Sequence, residues 1–407
     1  MTERSLPVRE AVSTSELRAE AEALSPRMTS IYRIIHQNPE LGRQERETAV
    51  LVERTLTGLG WETSREADTG VVGLLRGGKP GRTAALRAEL DALPIEEASG
   101  LLWSSQKPGV MHACGHDFHT AALLGAAHLL AGRRAELGGN VKLFFQPDEE
   151  GDGGAERMIA AGCMEHPTVD AVFALHCDSG LDVGTVAAVP GRICAASNPF
   201  TVTLHGRGSH GAKPQEGDDV IVAAAQIIQA VQTISSRRTP PTEPVVVTIG
   251  ALHSGTAGNV LPTEARLRGI IRTMGGELRR QVTEQFRSIV QHTAKAMGVR
   301  AEIQIEESYP GVCNDRDCTR LVQRVAGRFL GTQAVIADRP PSMGTDDFGY
   351  FSAAVPGCYW QLGTSDPMWE ERWPNHTPRF RISEQALPIA AALHTGIVLE
   401  YLNGGRV

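Results

Sequence analysis

Between residues 70 and 180 the chain alternates short apolar runs of strand length with longer stretches whose apolar positions recur at helical spacing. The runs at 71–75, 83–90, 141–145 and 171–175 read as strands, and 14–36, 117–130 and 155–161 read as helices, with Asp117 a candidate N-cap. Such alternation is the signature of an α/β layer structure in which helices bury both faces of a sheet. The strand at 83–90 runs into Asp91-Ala92-Leu93-Pro94, where the proline stops further pairing. Ligands collect outside the carboxyl ends of strands in open sheets of this kind, and Asp91, Glu149, Glu150 and His176 all follow predicted strands.

A different rhythm begins near Pro199. A strand at 200–204, a helix near 220–234, strands at 245–249 and 265–273, a helix at 277–296 and a strand at 300–306 give the βαββαβ order of a ferredoxin-like arrangement. After Tyr309-Pro310-Gly311 the first rhythm resumes, with helices at 315–329 and 384–401 and a strand at 359–362. The expected architecture is therefore two-domain α/β. A mixed-sheet domain made of 1–196 and 309–407 is interrupted by a ferredoxin-like insertion at 197–308.

Length supports that division, since 407 residues exceed the roughly 250–300 at which one core stops growing. A net charge of −7 supplies no electrostatic reason to approach nucleic acid or an anionic membrane, so neither is expected as a partner. The start, Met1-Thr2-Glu3-Arg4-Ser5, leads into a polar segment without the apolar stretch of a signal peptide, and a cytoplasmic location is expected. Seven cysteines, odd in number and without CxxC spacing, read as reduced thiols.

One cluster changes the picture from fold to chemistry. His112-Ala113-Cys114-Gly115-His116-Asp117, taken with Glu149-Glu150, joins a thiol, imidazoles and carboxylates, which is the donor set for a divalent cation with a carboxylate to spare. Cys114 and His116 flank a glycine, a spacing suited to a tight turn around an ion; the plain alternative is a polar helical face carrying His112, His116 and His119 above a buried Cys114. Adjacent glutamates repel and point to opposite sides of an extended chain. Both serve one site only if the chain turns at Gly151-Asp152-Gly153-Gly154, one then ligating and the other acting as base. Gly206-Arg207-Gly208-Ser209-His210-Gly211 has dinucleotide-fingerprint spacing, but Pro214 bars a helix from its last glycine and no acidic residue stands about 20 positions on. No Gly-x-Ser-x-Gly elbow is present.

The segments 85–94, 110–119, 145–151, Leu175-His176, 206–214, Asn259-Val260-Leu261-Pro262 and His376-Thr377-Pro378 together resemble the metal-dependent aminoacylase and carboxypeptidase superfamily, within it the hippurate hydrolase and auxin-conjugate amidohydrolase branch. The resemblance implies two divalent ions per subunit and a smaller lid domain through which subunits dimerise. It implies Cys114, His116, Glu150, His176 and His376 as metal ligands and Glu149 as general base. His210 and Asn259 would reach substrate in the partner's site, His210 stabilising an oxyanion, and Arg272 would meet a substrate carboxylate. His376 enters through the resemblance alone. Two positions depart from it: Glu89 stands where relatives carry aspartate and Asp148 where alanine is common, so extra acidity near the site is expected to alter metal preference or substrate charge.

The expected activity is hydrolysis of N-acyl amino acids or related small amides by a metal-activated water. A dipeptidase or carboxypeptidase is the enzymatic alternative, and a metal-dependent binding protein without turnover is the other. Sulfur, nitrogen and oxygen donors together suit zinc, and leave manganese, cobalt and nickel open.

Overall fold

The computed structural model describes residues 13–404. The expectation about the leader at residues 1–5 lies outside them. The chain divides into two compact units, Met1–Gly191 with Cys313–Arg339 and Tyr350–Val407, and Arg192–Val312 with Pro340–Gly349.

The first unit is built on an eight-stranded mixed sheet. In spatial order its strands are Glu62–Glu66, Gly70–Leu75, Gly139–Gln146, Arg82–Glu89, Ala171–Asp182, Gly357–Ser365, Val186–Ala187 and Val335–Ile336. The four from Gly139–Gln146 to Gly357–Ser365 run parallel, with Ala84 opposite both Val141 and Ala171, and Ala174 opposite Tyr359. Parallel strands need cover on both faces. They are accordingly buried almost throughout, and the helices His116–Gly132 and Ala386–Asn403 are buried on nearly every side. Among the described residues no helix is long and apolar enough to cross a membrane.

Three local expectations are corrected. The helix read as 14–36 is two, Thr14–Ala23 and Ser25–Gln37, because Pro26 has no N–H to donate and starts a new first turn. Asp117 is not an N-cap: the helix opens at His116, and its cap is Gly115 in the left-handed region at φ 84°. Glycine is required there, since a Cβ would lie 2.5 Å from Cys177 Sγ and 2.9 Å from Ile382 Cδ1. The strand read as 171–175 continues to Asp182, so His176 lies within it and not beyond its end; Gly357–Ser365 pairs alongside and carries the ladder on.

The second unit holds a four-stranded antiparallel sheet in the order Val245–Ser254, Glu264–Thr273, Ala196–His205, Arg300–Ile305. Helices Val220–Val231 and Gly276–Ala296 share a core with it around Phe200, Ile227, Leu267 and Phe286. The glycine-rich segment forms a two-residue strand, Ser209–His210, paired with Val260–Leu261, and a single 3-10 turn from Pro214 follows.

Candidate metal centre

The left-handed turn at Gly115 lets Cys114 and His116 face one point although they are only two residues apart. Cys114 Sγ lies 3.5 Å from His176 Nε2 and 3.3 Å from His376 Nε2, and His376 Nε2 lies 3.0 Å from Glu150 Oε1. Donor atoms of Cys114, His116 and His176 form one group within 4.8 Å, those of Cys114, Glu150 and His376 a second, and those of His116, Glu149 and Glu150 a third. Two ligands on one tetrahedral ion, with bonds of about 2.0–2.3 Å, stand about 3.3–3.8 Å apart. The spacing therefore fits shared cations. His376 is placed by its backbone N–H donating to the Ala113 carbonyl at 2.8 Å, and it occupies the left-handed region at φ 63°, a conformation a non-glycine residue keeps only where its surroundings hold it.

Outer partners fix which nitrogen each ring presents. His116 Nδ1 donates to the Asp91 carbonyl at 2.9 Å, which leaves Nε2 bare, and that atom is buried with no hydrogen-bond partner among the described residues. His176 Nδ1 donates to the Cys177 carbonyl at 2.8 Å, again exposing Nε2. The Asp91 carboxylate also lies 3.2 Å from His116 Nδ1 through Oδ1 and accepts from the Glu150 backbone N–H at 2.8 Å through Oδ2, so it ties together the segments carrying His116 and Glu150. Hydrogen-bonded outer carboxylates of this kind orient ligating imidazoles.

His119 is close but spoken for. Its Nδ1 donates to Glu89 Oε2 at 2.7 Å and its Nε2 accepts from the Cys177 backbone N–H at 2.9 Å, leaving no lone pair for an ion. The polar-face alternative for His112, His116 and His119 fails, because all three are buried. The two acidic departures are both ion-paired. Glu89 is wholly buried against Arg87 and His119, and Asp148 is gripped by Arg43 at 3.1 Å and Arg157 at 2.8 Å. Asp148 is thus paired off with two arginines, whereas Glu89, although paired with Arg87, keeps a carboxylate oxygen within 4.8 Å of donor atoms of His116 and His119 and favours charge on His116.

Without a cation the cage is a proton trap. Burial works against charge on His116, but its hydrogen bond with Asp91 and the carboxylates of Glu89, Asp91 and Glu150 outweigh this and push it up to about 10. Burial first, then Glu150, Cys177 and Glu149, drive the Cys114 thiol far above its ordinary range, and a hydrogen bond to Glu150 raises His376. A divalent cation reverses each preference, since it binds thiolate and neutral imidazole. Uptake should therefore release protons, and affinity should fall as pH falls; calorimetry in buffers of different ionisation enthalpy reads both. Cys114→Ser should cost at least the about 10- to 100-fold in metal affinity that losing an outer partner costs, and unchanged stoichiometry at limiting metal would remove Cys114 from the ligand set.

The remaining expected residues lie in the second unit. His210 and Asn259 are brought together there: Val260 pairs with His210, and Gly211 N–H donates to the Asn259 carbonyl at 2.8 Å. Ala212 N–H donates to His210 Nδ1 at 3.0 Å, which puts the ring proton on Nε2, and both His210 and Asn259 are exposed. Arg272 sits in the four-stranded sheet opposite Ser197 and Val246, its Nη1 buried without a hydrogen-bond partner among the described residues. From the sequence, Asp91 stood out only as a residue following a strand and His119 only as one of three histidines on a helical face, while Arg87 and Asn375, whose amide lies 3.6 Å from Cys114 Sγ, had no role.

Mixed sulfur, nitrogen and oxygen donors gathered from a helix start, a strand and two loops, with a second carboxylate beside them, fit a metal-dependent hydrolase of amide bonds. The chain belongs to the Peptidase family M20/M25/M40, whose profile matches residues 85–400, in agreement with the resemblance read from its motifs. It is 37% identical to thermostable carboxypeptidase 2 of Saccharolobus solfataricus, over 95% of this chain and 98% of that one. It is 38% identical to N-acetyl-L-cysteine deacetylase of Bacillus subtilis, over 89% of this chain and 85% of the other. Its fold is similar to that of the YXEP protein of Bacillus subtilis, a dinuclear metal binding peptidase, with a TM-score of 0.81, 34% identity, and coverage of 94% and 99% of the two chains.

Proposed function

We propose that the chain hydrolyses the amide bond of N-acyl amino acids, with Cys114, His116, Glu150, His176 and His376 holding two divalent ions and Glu149 as general base. The observation that carries this reading is the convergence of five donors from four separate segments of the chain on overlapping groups, with a Glu149 oxygen within 4.8 Å of the donor atoms of His116 and Glu150. The dinuclear neighbour YXEP supports a pair of ions, and the N-acetyl-L-cysteine deacetylase supports the substrate class. Zinc or manganese suits the donors, with cobalt or nickel as substitutes.

Bound cations would supply Lewis acidity, acidifying water and polarising the scissile carbonyl. Glu149, at the edge of the ligand cage and mostly buried, takes a proton from the attacking water and returns it to the leaving amine nitrogen. His210, with its ring proton on Nε2, donates a hydrogen bond to the developing oxyanion, and Asn259 beside it binds substrate. Arg272 is assigned to a substrate carboxylate. A carboxypeptidase or dipeptidase activity is the second reading, favoured by the 37% identity to a thermostable carboxypeptidase. A panel of acylated and peptidyl amino acids, run with elemental analysis of active protein, tests both; chelator-insensitive turnover, or none after metal loading, would defeat them together.

We further assign residues 197–308 to a ferredoxin-like lid that also mediates dimerisation, flanked by catalytic segments 1–196 and 309–407, in a cytoplasmic enzyme. The strand order of the second unit supports the lid topology. Mixing inactive Glu149→Gln subunits with His210→Ala subunits should restore part of the original activity if His210 serves the partner's site. No recovery after verified subunit exchange would place His210 in its own chain's site or outside catalysis.

A further inference from the structure

The strand Ala171–Asp182 carries a charged device close to His176 that the metal site leaves unused. His176 and Gln361 are register partners on adjacent parallel strands, and Asp178 follows His176 by two residues, so all three side chains rise from one face of the sheet. Arg339 reaches onto that face. Its Nη1 donates both to Asp178 Oδ2 and to Gln361 Oε1, the latter at 2.9 Å. Both hydrogens of Nη1 are thereby consumed and the plane of the guanidinium is fixed. Nε and Nη2 make no hydrogen bond or ion pair among the described residues, and the side chain is 39% exposed.

A guanidinium held in this way presents its side-on fork, the pair of parallel N–H groups that matches a carboxylate. Its anchoring residue Asp178 lies about 7 Å along the strand from His176 at the ordinary rise per residue. In an N-acyl amino acid the carboxylate carbon is three bonds from the scissile carbonyl carbon, which suits an anchor standing beside the metal ligands and not among them. Asp178 and Gln361 serve as the buttress. Lysine in place of Arg339 would keep a charge but could not offer two parallel donors.

We propose that Arg339 is a specificity-determining residue of this chain, its Nε and Nη2 hydrogens binding the free carboxylate of the substrate on the same unit that holds the metal ligands. The proposal rests on the N-acyl amino acid reading above, and it competes with Arg272 for the same carboxylate. It requires that the chain favour an acid over its carboxamide through Arg339.

The test compares N-acetyl amino acids with their α-carboxamides on the metal-loaded chain, following acetate release, for the original protein and for Arg339→Met, Arg339→Lys and Arg272→Met. Arg339→Met should lower the acid-over-amide ratio of kcat/KM by about 10- to 100-fold, as expected for a charge-assisted fork, mainly through KM and with metal content unchanged. Arg339→Lys, which keeps a cation beside Asp178, should lower the same ratio in part. A ratio untouched by both Arg339 variants, or one that collapses only in Arg272→Met, overturns the proposal. Calorimetric binding of the N-acetyl amino acid to a Glu149→Gln background separates this idea from the proposed function. Carboxylate binding that survives Arg339→Met overturns the anchor, whereas binding that depends on Arg339 in a chain whose unmutated form shows no turnover upholds the anchor and defeats the hydrolase reading.

Discussion

Glu149→Gln should lower kcat by about 10²- to 10⁴-fold, the range ascribed to general acid–base catalysis, while leaving metal content intact. The amide is nearly the same size as the carboxylate but cannot accept a proton from water at neutral pH. Its backbone setting is independent of that change, because the neighbouring Glu150 N–H is held by Asp91 at 2.8 Å and the Gly153 N–H closes the turn onto the Asp148 carbonyl at 3.0 Å. Parallel elemental analysis and steady-state kinetics check it. Full activity would remove Glu149 from proton transfer, and loss of metal together with activity would recast it as a ligand. Glu150→Gln makes the reciprocal case: it should weaken metal binding first, since its carboxylate stands 3.0 Å from His376 Nε2 within the ligand cage.

Arg87→Met should destabilise the first unit by about 3–5 kcal/mol, the cost of stranding one member of a buried ion pair. Arg87 and Glu89 are both fully buried, and Arg87 Nε also donates to Gln146 Oε1 at 2.9 Å. Burial alone would raise the Glu89 carboxyl; the Arg87 guanidinium and then His119 overcome it and hold the group well below the usual carboxylate range. A folded pKa depressed in this way contributes stability that is present above the unfolded carboxylate value, about 4.3, and is lost as pH falls through the folded value. The deficit of Arg87→Met should therefore be largest near neutrality and shrink toward pH 4, where the stranded carboxyl takes up a proton. Thermal melts across that range read the effect. A pH-independent deficit would mean that packing and not charge explains the loss. Because Glu89 holds His119, and His119 holds the Cys177 backbone beside His176, the same variant should also weaken metal binding.

The outer network shows where reading from the chain alone reached its limit. Glu89 and Asp148 looked like additional negative charge because each is acidic and close in sequence to site residues. Their partners are both near and far: Arg87 stands two positions from Glu89 and Arg157 nine from Asp148, but His119 stands thirty from Glu89 and Arg43 more than a hundred from Asp148. His119 looked equivalent to His116, three residues earlier on the same helix. What separates them is the partner of each nitrogen: the His116 Nε2 atom is left bare, whereas both nitrogens of His119 are used. Tautomer and availability are decided by contacts, and contacts are not encoded at a fixed offset. The same reason hid Asn375 and made His376 legible only through resemblance to relatives.

The sequence by itself determined the alternation of apolar runs that makes a mixed sheet buried under helices, and the kinds of donor offered to a cation. It also fixed the turn at Gly115, where only a missing Cβ lets Cys114 and His116 meet. The tertiary structure decided which donors converge, that Arg43 reaches Asp148 from more than a hundred positions away, and which imidazole nitrogen faces inward. Local pattern specifies elements because side-chain period and backbone sterics act over a few residues, whereas a coordination shell is assembled from strands and loops hundreds of positions apart whose meeting depends on the packed sheet as a whole.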